Sequence, residues 1–226
     1  MQTVSYFYRI VRVGQFYRNA AHLRRSLLRK VLFDFIAVSG IGHLVIYLWQ
    51  GRLPKAMDGV KVAPVEQFGL WADDVWHAAK TGFALAAVRT GELLNARYGA
   101  ESFLKLTVAR GDETIGWFVC LGKHWKSHPQ FGRMRIVTIV DCLALPGDEE
   151  TCVGAVVRFL SGLEIDMIVS HQSHAVYGEA MTANGMRSAP SHLKLVLSPE
   201  LAKRLQPLDD AASRFHFATG DSDALL

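Results

Sequence analysis

Three features of the chain predict an α/β fold with a mixed sheet. Residues 135–145 are apolar and β-branched at almost every position, with Thr138 and Asp141 as the polar interruptions. That is how a strand buried on both faces reads. Residues 166–170 (DMIVS) are short and apolar in the same way. Between the two runs, Val153, Val156, Val157 and Leu160 recur at helical spacing. One helix thus joins two buried strands in a βαβ crossover, a connection that is right-handed in nearly all proteins. Ligands in such folds bind at the carboxyl ends of the strands, here residues 145–151 and 171–174.

From the amino terminus, residues 6–16 mix aromatics and arginines. Residues 20–37 read as a helix with Leu23, Leu27, Leu28, Val31 and Phe35 on one side. Ser39-Gly40-Ile41-Gly42 breaks it before a second apolar segment at 43–49. Residues 31–49 have the length and basic flanks of a membrane span, but Asp34, His43 and the glycine break argue against one. Packing against protein is the better reading, with an interfacial basic helix as the alternative. Residues 51–65 hold two prolines and two glycines and read as a linker.

Beyond it the elements alternate. Residues 66–81 predict an amphipathic helix, 83–88 a short strand and 90–98 a short helix. Residues 102–109 and 114–121 are strands joined by the turn Arg110-Gly111-Asp112-Glu113, which makes an antiparallel hairpin. Residues 122–132 are a polar loop. Pro146-Gly147 ends the long strand, and Asp148, Glu149, Glu150 and Thr151 supply acidic and capping groups where the next helix begins. A second helix follows residues 166–170, then a strand at 191–197, a helical turn at 199–205, a strand at 214–217 and a polar tail. The expected division is a basic, aromatic, helical extension over 1–58 and an α/β domain over 59–226.

The net charge of +4 is uneven. Residues 1–55 carry nine Lys or Arg and one acid, Asp34, whereas the remainder carries 16 bases and 20 acids. This is not a uniformly basic nucleic-acid binder. Cys120, Cys142 and Cys152 are an odd count with no close pairing, which points to a reducing, cytoplasmic setting and to small buried hydrophobes. No C-x-x-C pair is present, and no metal is expected. Neither a G-x-S-x-G elbow nor a Walker or G-x-G-x-x-G loop occurs.

Five stretches occur in a suggestive order along the chain. They are Ala87-Val88-Arg89, Leu94-Asn95-Ala96-Arg97-Tyr98, Ser170-His171-Gln172-Ser173-His174, Ala189-Pro190-Ser191 and Phe217-Ala218-Thr219-Gly220-Asp221-Ser222-Asp223. With the order of elements from residue 66 onward, they make the chain resemble the GNAT (N-acetyltransferase-like) superfamily. It looks most like the C-terminal half of bacterial GNAT and FemAB-type acyltransferase-like proteins. The resemblance implies a mixed sheet splayed between its fourth and fifth strands, with acetyl-CoA or another acyl-CoA in the gap. It also implies a role in cell-envelope or polysaccharide modification and a second GNAT-like lobe as partner.

A site of that kind needs backbone N–H groups at a helix start for the pyrophosphate, a gap for the pantetheine and a general base. The candidate cofactor-binding residues are Leu143, Leu145, Gly147, Thr151, Cys152 and Gly154. Three carboxylates stand where the phosphates would arrive, and like charges about 5 Å apart repel by roughly 1 kcal/mol or more near a surface. The acids could equally cap the helix in place of a phosphate. His171 and His174 are the candidate catalytic groups, with Asp141 placed to orient one of them. Gln172, Ser173, Arg89 and Tyr98 are the candidate substrate-binding residues. Aligning Gly185 with the family's terminal glycine puts Met181 where a thiolate-protonating tyrosine is expected, with Tyr177 one turn earlier. Two functions are therefore expected as alternatives: an acyl-CoA-dependent N-acyltransferase, or a degenerate lobe that binds a partner or substrate. In either case residues 1–55 would dock a second lobe, another copy or an anionic surface, with neither nucleic acid nor a membrane span expected.

Overall fold

A computed structural model describes residues 2–125 and 132–222. The main sheet contains β1 (Ser5–Ile10), β2 (Val60–Val65), β3 (Phe103–Arg110), β4 (Glu113–His124), β5 (Arg135–Ala144), β6 (Met167–Gln172) and β7 (Arg187–Ala189). Their order across the sheet is β2-β3-β4-β5-β6-β1-β7. All neighbours are antiparallel except β5 and β6, the two strands of the crossover.

Those two strands pair only from Ile136 opposite Met167 to Ile139 opposite Ser170, and then part. The cause lies on the other side of β5. There Cys120 faces Ile139 while Val119 faces Asp141, so Val140 is an extra, bulged residue. A bulge bends its strand and strengthens the local twist. It falls immediately after the last residue paired with β6, and the sheet opens from that point. The architecture is thus the α/β, GNAT-like splayed sheet that the sequence predicts.

The described helices are α1 (Val13–Asn19), α2 (Leu27–Ser39), α3 (Ile41–Gln50), α4 (Leu70–Ala79), α5 (Gly91–Arg97), α6 (Glu149–Ser161), α7 (Ala175–Ala183), α8 (Pro199–Arg204) and α9 (Leu208–Ala212). On one face of the sheet, α6 sets Val153, Val156, Val157 and Leu160 against Ile115, Val137, Ile139 and Ile168. Valine costs a few tenths of a kcal/mol in helix propensity. Burying each such side chain contributes about 1.5–3 kcal/mol, so tertiary packing holds this helix. The other face is covered over β4 and the end of β5 by α4 and α5, through Phe68, Trp76, Leu94 and Tyr98. A smaller cluster of Ile10, Val13, Tyr17, Ala37 and Ile46 joins α1, α2 and α3 to the end of β1.

Several elements differ from expectation. Residues 60–65, expected as linker, form edge strand β2 along β3. Pro64 is tolerated there because an edge strand needs only one row of hydrogen bonds. The amino-terminal segment, expected as a helical extension, contributes β1, which lies between β6 and β7. Its aromatics suit a strand, and the buried Arg9 donates from Nη1 to the Gly185 carbonyl at 2.8 Å. The expected strand at 191–197 shrinks to Lys194–Leu195, which pairs with Gln2–Thr3, and the one at 214–217 to Phe215–His216, which runs parallel to Leu85–Ala86. Neither belongs to the main sheet. Most of the loop expected at 122–132 lies outside the described residues, although β4 runs on to His124.

Cys120, Cys142 and Cys152 are free and buried. Burial pushes the Cys120 thiol up to about 12 and raises those of Cys142 and Cys152 as well. Since the thiolate is the reactive form, the folded protein should not react with a thiol-specific chromogenic disulfide. Denaturation should then release three titratable thiols. A rapidly labelled thiol in the native state would contradict this packing.

Candidate functional site

The bulge at Val140 decides what Asp141 touches. In a regular strand Asp141 would share a face with Ile139, but Val140 and Asp141 both turn toward α4 and α5. Asp141 accepts hydrogen bonds from Arg89 Nε (3.0 Å), the Tyr98 hydroxyl (3.0 Å) and the Cys142 amide (2.9 Å). It therefore orients neither His171 nor His174. Arg89 is fully buried; it also donates from Nη1 to the Ala87 carbonyl at 2.8 Å and from Nη2 to Asp221 at 2.6 Å. Arg97 bonds the second oxygen of Asp221 at 2.9 Å. The two carboxylates raise the affinity of the Arg89 guanidinium for its proton against the opposing effect of burial. Arg89 and Tyr98, expected to contact substrate, are instead closed inside this network.

Asp221 belongs to the segment that follows Arg214, and this segment fills the opening between β5 and β6. The Ser173 hydroxyl donates to the Phe215 carbonyl at 2.5 Å and accepts from the Phe217 amide at 2.8 Å. Gln172 bridges Ala218 in antiparallel fashion. His216 lies 3.0 Å from the Cys142 carbonyl through Nε2, so Nε2 carries the proton and Nδ1 is bare. Gly220 sits so close to β5 that a Cβ there would lie 2.9 Å from the Val140 carbonyl and 2.1 Å from the Tyr98 hydroxyl. Only glycine admits that approach. The gap in which a pantetheine arm would lie is occupied by the protein's own chain.

The loop at the start of α6 is committed as well. Gly147, at φ +91°, makes the turn, and its amide donates to Glu149 Oε2 at 2.8 Å. Asp148 is paired with Arg110. The acids thus bond the turn ahead of α6 and an arginine, and Asp148 at the N-cap makes no side-chain bond to the first-turn amides. Cys152 is buried with Sγ 3.5 Å from the Ile115 carbonyl, Gly154 packs on the Asn184 side chain, and Leu143 is in the core under α4. Leu145 donates its amide to the Ile115 carbonyl, and Thr151 is half-buried in the first turn of α6. Met181 is buried in the core. Tyr177 is buried too, its hydroxyl accepting from the Ala144 amide at 2.8 Å, and burial holds it protonated.

The run from His171 to His174 divides between the two faces. His174 packs its ring against Phe83, Tyr177 and His216, with centroids 5.2, 5.7 and 6.0 Å away. Both of its ring nitrogens, His216 Nδ1 and Gln172 Oε1 are buried without a hydrogen-bond partner. Gln172 Nε2 reaches Cys142 Sγ at 3.3 Å. His171 points the other way, into a cavity of about 580 Å³ on the part of the α4–α5 face of the sheet that those helices leave uncovered. The cavity is bounded by Tyr6, Thr138, His171, Ser191, His192 and Thr219, with Trp125 and Lys123 at its margin. It lies over the paired part of β5 and β6, not beyond their carboxyl ends, and residues 145–151 do not line it.

Tyr6 and His171 are direct partners on adjacent strands, their rings 5.0 Å apart. His171 Nδ1 is 3.1 Å from Thr219 Oγ1. Burial lowers the pKa of His171 from its ordinary 6.5, so the ring is neutral near pH 7 and can accept a proton from a hydroxyl or amine. Burial pushes Tyr6 up to about 12, which keeps it a hydrogen-bond donor. Tyr6 carries no local signal in sequence, and Thr219 stands out only as part of the stretch from Phe217 to Asp223. Tyr6 reaches His171 only because β1 crosses most of the chain to pair with β6. Among the described residues no group of three or more His, Cys, Asp or Glu is placed to hold a metal.

Two outcomes follow from this geometry. Replacing Asp141 with Ala leaves Arg89 short of a buried partner, so unfolding free energy from denaturant titration should fall by about 3–5 kcal/mol. His171, His174 and His216 all have pKa values lowered by burial from 6.5. The unfolded chain therefore binds more protons than the native one just below that pH, and stability should drop as pH falls through about 6.5. Denaturation midpoints between neutral pH and pH 5 should show this slope, and His174→Phe should reduce it.

No protein-family model matches the chain, and no curated protein matches it. Solved structures do resemble it. One is a GCN5-related N-acetyltransferase from Anabaena variabilis, at 11% identity and TM-score 0.40, over 53% of this chain and 30% of that one. A second is an aminoglycoside acetyltransferase, meta-AAC0020, from an uncultured soil metagenomic sample, at 12% identity and TM-score 0.41, over 64% of this chain and 100% of that one. A third is Saccharomyces cerevisiae N-myristoyltransferase with bound myristoyl-CoA, at 13% identity and TM-score 0.48. It is matched over 88% of this chain and 51% of its own length, so the chain spans about half of the myristoyltransferase and less than a third of the Anabaena protein. Values this low transfer neither a residue role nor an activity.

Proposed function

We propose that the chain is a GNAT-fold lobe that binds a sugar unit of an envelope or extracellular polysaccharide in the cavity of Tyr6 and His171, without coenzyme A-dependent transfer at the split. One observation carries the second half of this reading: the segment from Phe215 to Asp221 occupies the opening between β5 and β6. The acids at the start of α6 support it, since Glu149 occupies the Gly147 amide and Glu149 and Glu150 set negative charge in the first turn, where a pyrophosphate would arrive. The cavity supports the first half. Tyr6 and Trp125 are flat apolar faces of the kind that stack on a pyranose ring, and Thr138, Ser191, His192 and Thr219 match its hydroxyls. Among the described residues no carboxylate lines it.

Acyl transfer from acetyl-CoA or another acyl-CoA is the second reading, favoured by the neutral His171 beside a splayed parallel pair. In that case Thr219, which belongs both to the closing segment and to the cavity wall, would move with the segment to admit the thioester.

Calorimetric titration separates the two. Cellulose- or chitin-derived oligosaccharides should bind saturably, and Tyr6→Ala or His171→Ala should weaken them by about tenfold or more. Acetyl-CoA should give no saturable heat at millimolar concentration and no thiol release. Saturable acetyl-CoA binding with thiol release dependent on His171 would assign acyl transfer instead.

A further inference from the structure

Helices α2 and α3 bury a narrow apolar strip and leave a wider one exposed. In a soluble helix the apolar stripe faces the core and the polar one faces water. Here only Ala37 of α2, with the half-buried Phe33 and Ile36, and Gly42, Ile46 and Gln50 of α3 face the protein. The outward face of α2 carries Leu28, Val31, Phe35 and Val38 at helical spacing, and that of α3 carries Leu44 and Leu48. Leu28 is 83% exposed and Leu48 71%. Isolated exposed leucines are ordinary, but exposed apolar side chains at helical spacing on two successive helices mark a contact face.

The charges around this face identify what covers it. Arg25, Arg29 and Lys30 stand exposed at the start of α2, and Arg52 and Lys55 just after α3. Arg52 donates to the Tyr47 hydroxyl at 2.6 Å, which holds its cation alongside α3. The only acid before Asp58 is Asp34, and Arg24 pairs with it through two hydrogen bonds of 2.6 and 2.9 Å. An apolar face bordered by exposed cations complements a lipid surface of negative charge.

The shape limits how deep the contact goes. No single helix among the described residues is long and apolar enough to cross a membrane, and the α2–α3 pair bends by 80° at Gly40. Thirteen and ten residues make arms of about 20 and 15 Å, against a hydrocarbon core of about 30 Å. From this geometry we propose that α2 and α3 form a bent, in-plane anchor that lays its apolar face into an anionic bilayer surface. The anchor is independent of the cavity reading, since none of its residues lines that cavity.

Vesicle co-sedimentation of the full chain tests it. Binding to mixed phosphatidylcholine–phosphatidylglycerol vesicles should exceed binding to phosphatidylcholine alone and should weaken at high salt. Leu44→Asp with Leu48→Asp should reduce it by more than about tenfold, and Arg29→Glu with Lys30→Glu should remove the preference for the anionic lipid. All four positions are exposed, so circular dichroism should report an unchanged fold. Absence of vesicle binding by the wild type overturns the proposal, as does binding indifferent to the leucine pair. A concentration-dependent dimer abolished by that same pair, without lipid binding, would assign the face to a second copy.

Discussion

The Arg89 guanidinium is the point on which the site depends. A buried cation costs several kcal/mol in lost hydration unless every donor finds a partner. Here Nε goes to Asp141, Nη1 to the Ala87 carbonyl and Nη2 to Asp221. These partners come from the bulged strand, from the segment before α5 and from the closing segment. Asp221 in turn accepts from the Ala218 amide at 3.1 Å and from Arg97. The ion network therefore fastens the carboxyl-terminal segment into the gap that the bulge creates, and Gly220 lets it lie against the backbone of β5.

That fastening separates fold from chemistry. The splayed parallel pair is a GNAT-like trait, yet the slot it would offer is taken by His216, Ala218 and Gly220, and the turn before α6 is bonded by the protein's own carboxylate. A fold sets where a site can be, and the side chains set whether it works. The open space is on the face opposite α6, where neutral His171 meets Tyr6 and Thr219. Burial keeps that imidazole neutral and that phenol protonated, which favours a neutral, hydrogen-bonding ligand over an anionic one.

Two helices with similar periodicity have opposite fates in this molecule. The apolar stripe of α6 lies on the sheet, whereas that of α2 points away from it. The difference comes from what is available to cover each. β1 ends at Ile10, and α1 packs only the narrow inner strip of α2 and α3, leaving the wider stripe without protein over it.

Local pattern, turn chemistry and composition are enough for the crossover, the hairpin, α4 to α7 and the burial of the three cysteines, because these depend on neighbours close in sequence or on continuous apolar runs. The same reasoning took residues 60–65 for a linker, since a proline in a strand is informative only once the strand is known to be an edge. The site was legible in part. His171 is legible as a polar group at a strand end, and the acids of the α6 loop as charges at a helix start. Which face Asp141 would occupy, whether Arg89 and Tyr98 would meet ligand or each other, and what would fill the split could not be read. A single bulged residue reverses the alternation of a strand, and the partners involved are 43 to 132 positions apart in the chain. Local pattern encodes how each segment prefers to fold and which of its sides is apolar. Only the tertiary structure decides what each side meets, because that is fixed by contacts between segments whose separation in sequence carries no periodic signal.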